Sequence, residues 1–136
     1  MKSINICIAG LGNVGSALVE LIEKNSEFIK YKSELEINIM GLSARNKNKK
    51  RNFNIGKYFW VDDPINLLNI NKEKPNILIE LIGYEKDISY ELVKSALINK
   101  INVVTGNKAM LAKHGNELFN IAEQNKVLLL FEAAVA

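Results

Sequence analysis

Three glycines, Gly10, Gly12 and Gly15, lie in the stretch INICIAGLGNVGSALVEL, between a short apolar run and a segment with helical spacing. In this spacing Gly10 makes a tight turn, Gly12 lets the backbone approach a pyrophosphate, and Gly15 lets the following helix pack close to the strand. That helix offers free N–H groups and the positive end of its dipole to phosphates. The stretch therefore predicts a dinucleotide-binding strand, turn and helix. The alternative is a glycine turn that only packs the strand against the helix.

Along the rest of the chain, the apolar pattern alternates between short continuous runs and helical spacing. Continuous apolar runs are typical of parallel strands that are buried on both faces. The sequence therefore predicts an α/β fold of the doubly wound Rossmann type, with a mainly parallel sheet and helices on both faces. The predicted strands span 4–9, 36–42, 58–61, 76–82, 101–105 and 127–131, and the predicted helices span 13–25, 64–70, 87–99 and 112–125.

Helical spacing also predicts which side chains of these helices face the core. Asp63 followed by Pro64 predicts the N-cap and the first residue of the short second helix. Segment 43–57 has no clear period and is predicted to be an irregular basic loop. The predicted core-facing residues are Val14, Ala17, Leu18, Leu21 and Ile22 in the first helix, Leu92, Val93, Ala96 and Leu97 in the third, and Leu118, Ile121 and Ala122 in the fourth.

The composition fits one domain and argues against several classes of protein. With 136 residues, 48% hydrophobic and 24% charged, the chain can bury one core, and we expect residues 1–136 to form a single dinucleotide-binding domain. The net charge of +3 is small for a nucleic-acid-binding protein, and no apolar run approaches the length of a membrane span. The single cysteine, Cys7, lies in an apolar run and is predicted to be buried and reduced. We therefore expect a cytoplasmic protein that binds neither nucleic acid nor a membrane.

The residues after the second predicted strand bear on the choice of nicotinamide cofactor. An acidic side chain there would hold the ribose 2′-hydroxyl of NAD, whereas a basic one would accept the 2′-phosphate of NADP. The segment IMGLSARNKNKKR has no acidic residue and places Arg45 at this position, followed by Lys47, Lys49, Lys50 and Arg51. NADP is therefore the favoured cofactor, with NAD as the alternative. A solvated lysine-rich loop would equally explain the basic residues after Arg45.

Two later stretches, ILIELIGYEKD at 77–87 and NVVTGNKAMLAKHGNELFNIAEQNKVLLLFEAAVA at 102–136, add a more specific pattern. Together with the glycine turn they resemble the N-terminal part of homoserine dehydrogenase, and the resemblance covers nearly the whole chain. Its most specific piece is VVTGNKAMLAKHG, which is similar to the family's V-V-T-A-N-K-A-L-L-A-x-H-G. The resemblance implies reversible hydride transfer between NAD(P) and the pair L-homoserine and L-aspartate 4-semialdehyde, on the route to threonine, methionine and isoleucine.

The resemblance also assigns residues to the cofactor and substrate cleft. Lys108 matches the family's lysine near the nicotinamide and substrate, where an ammonium can hydrogen-bond a substrate oxygen or a cofactor group; an exposed loop lysine is the alternative. Thr105 and Asn107 flank the same turn, and turn formation alone would equally explain them. Ile82 and Gly83 belong to the family's E-L-I-G segment, which lies beside the cofactor. The cofactor contacts predicted in this way are Gly10, Leu11, Gly12, Asn13, Val14, Gly15, Arg45, Ile82, Gly83, Thr105 and Lys108.

Four further residues complete the comparison with the family pattern. Tyr84 replaces the usual second glycine and would crowd the cofactor if its φ is positive. Glu132 and Val135 match positions that help bind a structural monovalent cation, commonly sodium, whose remaining ligands follow after residue 136 in the family; we expect the cation only in a completed chain. His114, the single histidine, lies in a K-H-G segment that the family pattern suggests is a turn before a helix, where a structural or capping role is favoured over a general base.

The resemblance further implies that the sequence stops before the substrate and dimerisation domain. In the family that domain carries the acid and the lysine assigned to proton transfer, so we expect the substrate domain to be absent and residues 1–136 to have little or no dehydrogenase activity alone. The expected partner, besides the nicotinamide dinucleotide, is a second polypeptide carrying the substrate domain, or a homo-oligomer. The alternatives are a stand-alone NADP-binding or sensing protein and a decayed remnant without catalysis.

Overall fold

The computed structural model describes residues 2–83 and 87–131, which form a parallel sheet with helices on both faces. The strands are β1 (Lys2–Ala9), β2 (Leu35–Ser43), β3 (Ile77–Glu80), β4 (Asn102–Thr105) and β5 (Leu129–Phe131), and the α-helices are α1 (Asn13–Ser33), α2 (Ile88–Ile98) and α3 (Lys108–Asn125). The strand order is β2-β1-β3-β4-β5, and every neighbouring pair is parallel. The predicted doubly wound α/β fold is confirmed.

Alternate side chains of each strand point to opposite faces of the sheet, so the sheet has two cores. On one face, Ile6 and Ile8 of β1 pack with Val19 and Ile22 of α1. The other face is covered by α2 and α3, where the buried residues include Cys7, Ala9, Leu78, Val103, Leu92, Val93, Leu97 and Leu118. None of the helices in the described ranges combines the length and the apolar character needed to cross a membrane.

The core-facing residues predicted for α2 and α3 are confirmed, whereas those predicted for α1 are partly wrong. In α1 the buried positions are Gly15, Val19 and Ile22, while Val14 and Leu21 are 51% and 59% exposed. The cause is the close approach at Gly15, where a Cβ atom would lie 2.0 Å from the carbonyl oxygen of Gly10. Because α1 docks through this glycine, its inward stripe is rotated away from the one that the apolar spacing predicts.

Two helices are longer than predicted. α1 continues from the predicted end at residue 25 to Ser33 and stops at Glu34, which has a left-handed conformation with φ of 57°. No glycine or proline interrupts the sequence between these points. α3 begins at Lys108 rather than at 112, because Asn107 caps it. His114 lies inside α3, so the turn predicted for the K-H-G segment is wrong.

The predicted strand at 58–61 is also wrong. This segment meets β2 at a single parallel bridge between Leu42 and Trp60, supported by two backbone hydrogen bonds at 2.9 and 3.0 Å. The side chain of Trp60 then turns to donate to Asp62, and a short 3₁₀ helix follows at Pro64–Leu68. Asp63 caps that helix by accepting from the N–H of Ile65, as predicted. The loop between β2 and the segment at 58–61 is irregular, as predicted, apart from a 3₁₀ turn at Ile55–Lys57.

Candidate functional site

The residues predicted to bind a cofactor meet at one edge of the sheet, where the carboxyl ends of β1, β3 and β4 face the N-termini of α1 and α3. β1 is second in the strand order and lies between β2 and β3. The chain adds β2 on one side of β1 and the later strands on the other, and open parallel sheets bind their ligands in the crevice at such a switch point. We refer to this edge as the cleft.

The glycine turn at the carboxyl end of β1 is sterically restricted at two positions. Gly10 has φ of +101°, and a Cβ atom there would lie 2.4 Å from the carbonyl oxygen of Leu81. A Cβ atom at Gly15 would collide with the Gly10 carbonyl, as described above. Both positions therefore require glycine, the first because of its backbone conformation and both because backbone lies against backbone.

Gly12 is different, because a Cβ atom at this position would meet nothing within 4 Å. It is the N-cap of α1, provides no capping side chain, and precedes a first turn without an acidic residue. The space beside Gly12 is thus open at the uncapped N-terminus of α1, and the free N–H groups and the dipole of a helix N-terminus can bind a phosphate in such a place. Asn13 and Val14 follow and are exposed, whereas the side chain of Leu11 is buried in the core, so Leu11 can reach a ligand only through its backbone.

The loop after β2 adjoins the glycine turn, because the N–H of Gly10 donates to the carbonyl of Ser43 at 2.8 Å. Arg45 lies two residues further on and is exposed. Arg51 is used differently: its guanidinium donates to the backbone carbonyls of Asn46, Lys47 and Lys49 at 2.7 to 3.1 Å and lies 6.0 Å from the ring centre of Trp60. Arg51 therefore holds the loop together, while Lys47, Lys49 and Lys50 remain exposed around it.

The E-L-I-G segment places a buried carboxylate under the cleft. Glu80 is 0% exposed, and its side chain accepts hydrogen bonds from the N–H of Ile82 at 2.9 Å, from Ser89 Oγ at 2.8 Å and from Thr105 Oγ1 at 2.5 Å. The bond to Ile82 explains why β3 ends at Glu80 rather than at the predicted residue 82. The resemblance to the family pointed only to the backbone of this segment. An acidic residue inside the otherwise apolar run ILIELI was the available signal for a buried carboxylate.

The turn after β4 carries Thr105, Asn107 and Lys108. Thr105 is buried, and its hydroxyl oxygen accepts from the N–H of Asn107 at 3.0 Å. The side chain of Asn107 accepts from the N–H of Met110 at 3.0 Å, which caps α3, and donates to the carbonyl of Gly83 at 3.1 Å. Gly83 has φ of +81°. The structure thus brings the E-L-I-G and T-G-N-K segments together.

Lys108 is exposed at the first position of α3, beside the carboxyl end of β4. A cation at a helix N-terminus opposes the helix dipole and gives that helix no stability. The same position suits an ammonium that contacts a ligand in the cleft. Tyr84, Glu132 and Val135 fall outside the described residues.

The groups whose pKa values are shifted lie away from the cleft. Burial raises the pKa of the Cys7 thiol to about 12, so this cysteine is a core side chain and not a nucleophile. Burial and a hydrogen bond to Glu23 raise the pKa of Tyr58. A hydrogen bond to Glu117 raises the pKa of Tyr90, which joins α2 to α3.

His114 stacks on the ring of Tyr90 with 4.0 Å between ring centres, on the surface formed by α2 and α3. This contact fits the predicted structural role of His114 and places it outside the proton-transfer chemistry of a cleft. Within residues 2–83 and 87–131, no group of three histidine, cysteine or acidic side chains is arranged to hold a metal ion.

Comparisons with known proteins agree on one family. A family model described as "Homoserine dehydrogenase, NAD binding domain" matches residues 10–132. The homoserine dehydrogenase of Neisseria gonorrhoeae is 36% identical over 136 residues, which are 100% of this chain and 30% of that protein. The homoserine dehydrogenase of Pseudomonas aeruginosa is 37% identical over the same shares of both chains.

Solved structures show the same similarity. The crystal structure of S. aureus homoserine dehydrogenase at pH 7.5 superposes with a TM-score of 0.87 and 39% identity, covering 100% of this chain and 33% of that one. A hyperthermophilic archaeal homoserine dehydrogenase mutant in complex with NADPH gives a TM-score of 0.74 and 28% identity, over 97% of this chain and 44% of that one. The chain thus spans between 30% and 44% of the length of these relatives.

Proposed function

The chain belongs to the family of homoserine dehydrogenase NAD-binding domains, and from this premise we propose that it binds a nicotinamide dinucleotide across the cleft, as the cofactor-binding part of a homoserine dehydrogenase. The observation that carries this proposal is the open space over Gly12 at the uncapped N-terminus of α1. A pyrophosphate there would accept from the first N–H groups of α1 and lie at the positive end of the helix dipole.

We propose that NADP is preferred over NAD. Arg45 follows β2 in a loop that contains no acidic residue between 44 and 57, so the loop offers no carboxylate to hold a free ribose 2′-hydroxyl. Its guanidinium, with the exposed lysines of the loop that Arg51 organises, offers charge-assisted hydrogen bonds to a 2′-phosphate. The archaeal relative in complex with NADPH is consistent with this preference.

The reaction proposed for the whole protein interconverts L-homoserine and L-aspartate 4-semialdehyde. A bound nicotinamide would supply or accept the hydride. The residues of this chain would bind and orient it: the glycine turn at the pyrophosphate, Ile82, Gly83 and Thr105 along the wall of the cleft, and Lys108 at a substrate oxygen or a cofactor group. Lys108 is the only residue of this chain that we assign to substrate contact.

We propose that a substrate domain completes the active site, either in a longer polypeptide or in a second polypeptide; a homo-oligomer of this chain is the alternative partner. Hydride transfer requires the substrate carbonyl to be held in range and a positioned proton donor. We therefore propose that residues 1–136 alone have little or no dehydrogenase activity. The monovalent-cation site at Glu132 and Val135, and the cytoplasmic location, stay predictions.

The test is a direct binding titration of residues 1–136 with NADPH and with NADH, in which nicotinamide fluorescence and calorimetry measure the binding. We expect saturable binding of both nucleotides, with NADPH bound about tenfold more tightly, which corresponds to about 1.4 kcal/mol. A parallel assay with L-homoserine and NADP should show turnover only after a substrate domain is added. A folded chain that binds neither nucleotide would rule out the proposal.

A further inference from the structure

We propose that Glu80 is a positioning residue, whose buried carboxylate sets the wall of the cleft on the side of the nicotinamide. It joins three segments: the second residue after β3, the first turn of α2 and the end of β4. The bonds run to Ile82, Ser89 and Thr105. This inference rests on the proposed function, because it assigns a role toward the dinucleotide.

The pattern of donors identifies what the carboxylate does. Thr105 Oγ1 accepts from the N–H of Asn107, so its single proton is directed to Glu80 Oε1. Glu80 Oε2 accepts from the hydroxyl of Ser89 and from the N–H of Ile82. All three partners are thus arranged as donors, and an acceptor-only side chain is required at their centre.

Two of these bonds fix groups that face the cleft. The peptide unit between Leu81 and Ile82 donates its N–H to Glu80, while its carbonyl oxygen lies against the glycine turn at Gly10. The bond to Thr105 orients the hydroxyl that receives the N–H of Asn107, the residue before Lys108. The third bond, to Ser89, runs to α2 beneath the cleft, and Ser89 is buried.

The topology places this network on the nicotinamide side. The ribose of the adenosine is held at the end of β2, and the pyrophosphate lies over the turn after β1. In the strand order β2-β1-β3-β4-β5, the other half of a dinucleotide must then extend over the ends of β3 and β4. Glu80 and Thr105 are the last residues of those two strands.

Glu80→Gln tests this role with little change in shape. The glutamine can keep its oxygen toward Ile82 and Ser89, but its amide group then faces Thr105 Oγ1 as a donor. The Thr105 hydroxyl therefore loses its acceptor. Thr105→Val removes the same bond from the other side, together with the acceptor of the Asn107 N–H. Ser89→Ala is the matched control, because it removes a hydroxyl bond to the same carboxylate away from the cleft.

The readout compares NADPH with 2′,5′-ADP, which keeps the adenosine end and lacks the nicotinamide. We expect Glu80→Gln and Thr105→Val each to weaken NADPH binding by about tenfold, and 2′,5′-ADP binding by less than about twofold. The double variant should bind NADPH no more weakly than Thr105→Val alone, because both substitutions remove the bond between Glu80 and Thr105. Ser89→Ala should leave the ratio of the two affinities unchanged. If the wild-type chain binds NADH more tightly, NADH and ADP-ribose replace this pair of ligands.

Each result then separates the possibilities. Unchanged NADPH binding in Glu80→Gln, or equal losses for NADPH and 2′,5′-ADP, would overturn the positioning role and leave Glu80 as a structural residue. If Glu80→Gln does not fold, Thr105→Val decides by the same criterion. If the wild-type chain binds neither ligand, the proposed function itself is wrong. If the wild-type chain binds NADPH and the variants bind it equally well, only the positioning role of Glu80 is wrong.

Discussion

The two sides of the cleft are built by different physical means. On the pyrophosphate side, the turn is shaped at Gly10 and Gly15 by backbone in contact with backbone, where a side chain would collide, and Gly12 between them adjoins open space. On the nicotinamide side, the ends of β3 and β4 are held by side-chain hydrogen bonds centred on Glu80 and Asn107. The stability of the first side is sensitive to an atom added at Gly10 or Gly15, whereas the second side is sensitive to the loss of a donor or an acceptor.

The largest expected effect breaks the pyrophosphate side. Gly15→Ala places a Cβ atom 2.0 Å from the Gly10 carbonyl, so we expect the free energy of unfolding to fall by about 3 kcal/mol, the upper end of the usual range for over-packing. The matched control is Gly12→Ala, whose Cβ atom enters open space; its stability should change by less than about 0.5 kcal/mol while NADPH binding is weakened. Urea denaturation with and without NADPH measures both. Equal stability of the two variants would contradict the steric account.

A smaller effect is expected on the nicotinamide side from Asn107→Ala. The change removes the N-cap of α3 and the bond to the Gly83 carbonyl, and a lost cap costs about 1 kcal/mol. Asn125→Ala, at the other end of α3, removes only a bond to the Ile121 carbonyl and should cost less than about 0.5 kcal/mol. Thermal denaturation compares the two variants. If Asn125→Ala lowers the stability as much as Asn107→Ala does, the N-cap bond is not what stabilises the cleft end of α3.

A third effect is expected at the adenosine end of the pyrophosphate side, where Arg45 follows β2. Arg45→Ala should weaken NADPH binding by about tenfold and leave NADH binding unchanged, because only NADPH carries the 2′-phosphate. Lys24→Ala removes the same unit of charge from the exposed surface of α1 and serves as the control. Titrations at low and high salt separate a specific contact from general attraction. Equal losses for NADPH and NADH would argue against a 2′-phosphate site at Arg45.

The smallest expected effect concerns Lys108. Its cation opposes the dipole of α3, so Lys108→Ala should raise the free energy of unfolding by about 0.3 kcal/mol at low salt, and by less at high salt. Lys113→Ala, on an exposed position further along the same helix, corrects for the gain in helix propensity. Denaturant titrations of both variants give the difference. A clear loss of stability in Lys108→Ala would show that this lysine supports the fold instead of being reserved for a ligand.

The sequence by itself determined the features that depend on neighbours along the chain. The glycine spacing encodes a steric requirement within six residues, and it correctly predicted the turn after β1. Continuous apolar runs correctly predicted the parallel sheet, and helical spacing correctly predicted the buried faces of α2 and α3. Asp63 before Pro64 predicted a cap that is present. In each case one local rule, of turn geometry, periodicity or capping, was enough.

Only the tertiary structure decided the features that depend on contacts between distant segments. The inward face of α1 is rotated by its backbone contact at Gly15, and the segment at 58–61 forms one bridge instead of a strand. Arg51 stands in a basic run, yet its donors are used on backbone carbonyls. Glu80 acquires its partners Ser89 and Thr105 across 9 and 25 residues. A single residue type does not encode such partners, because packing of the sheet and helices must first bring their hydrogen-bonding groups together.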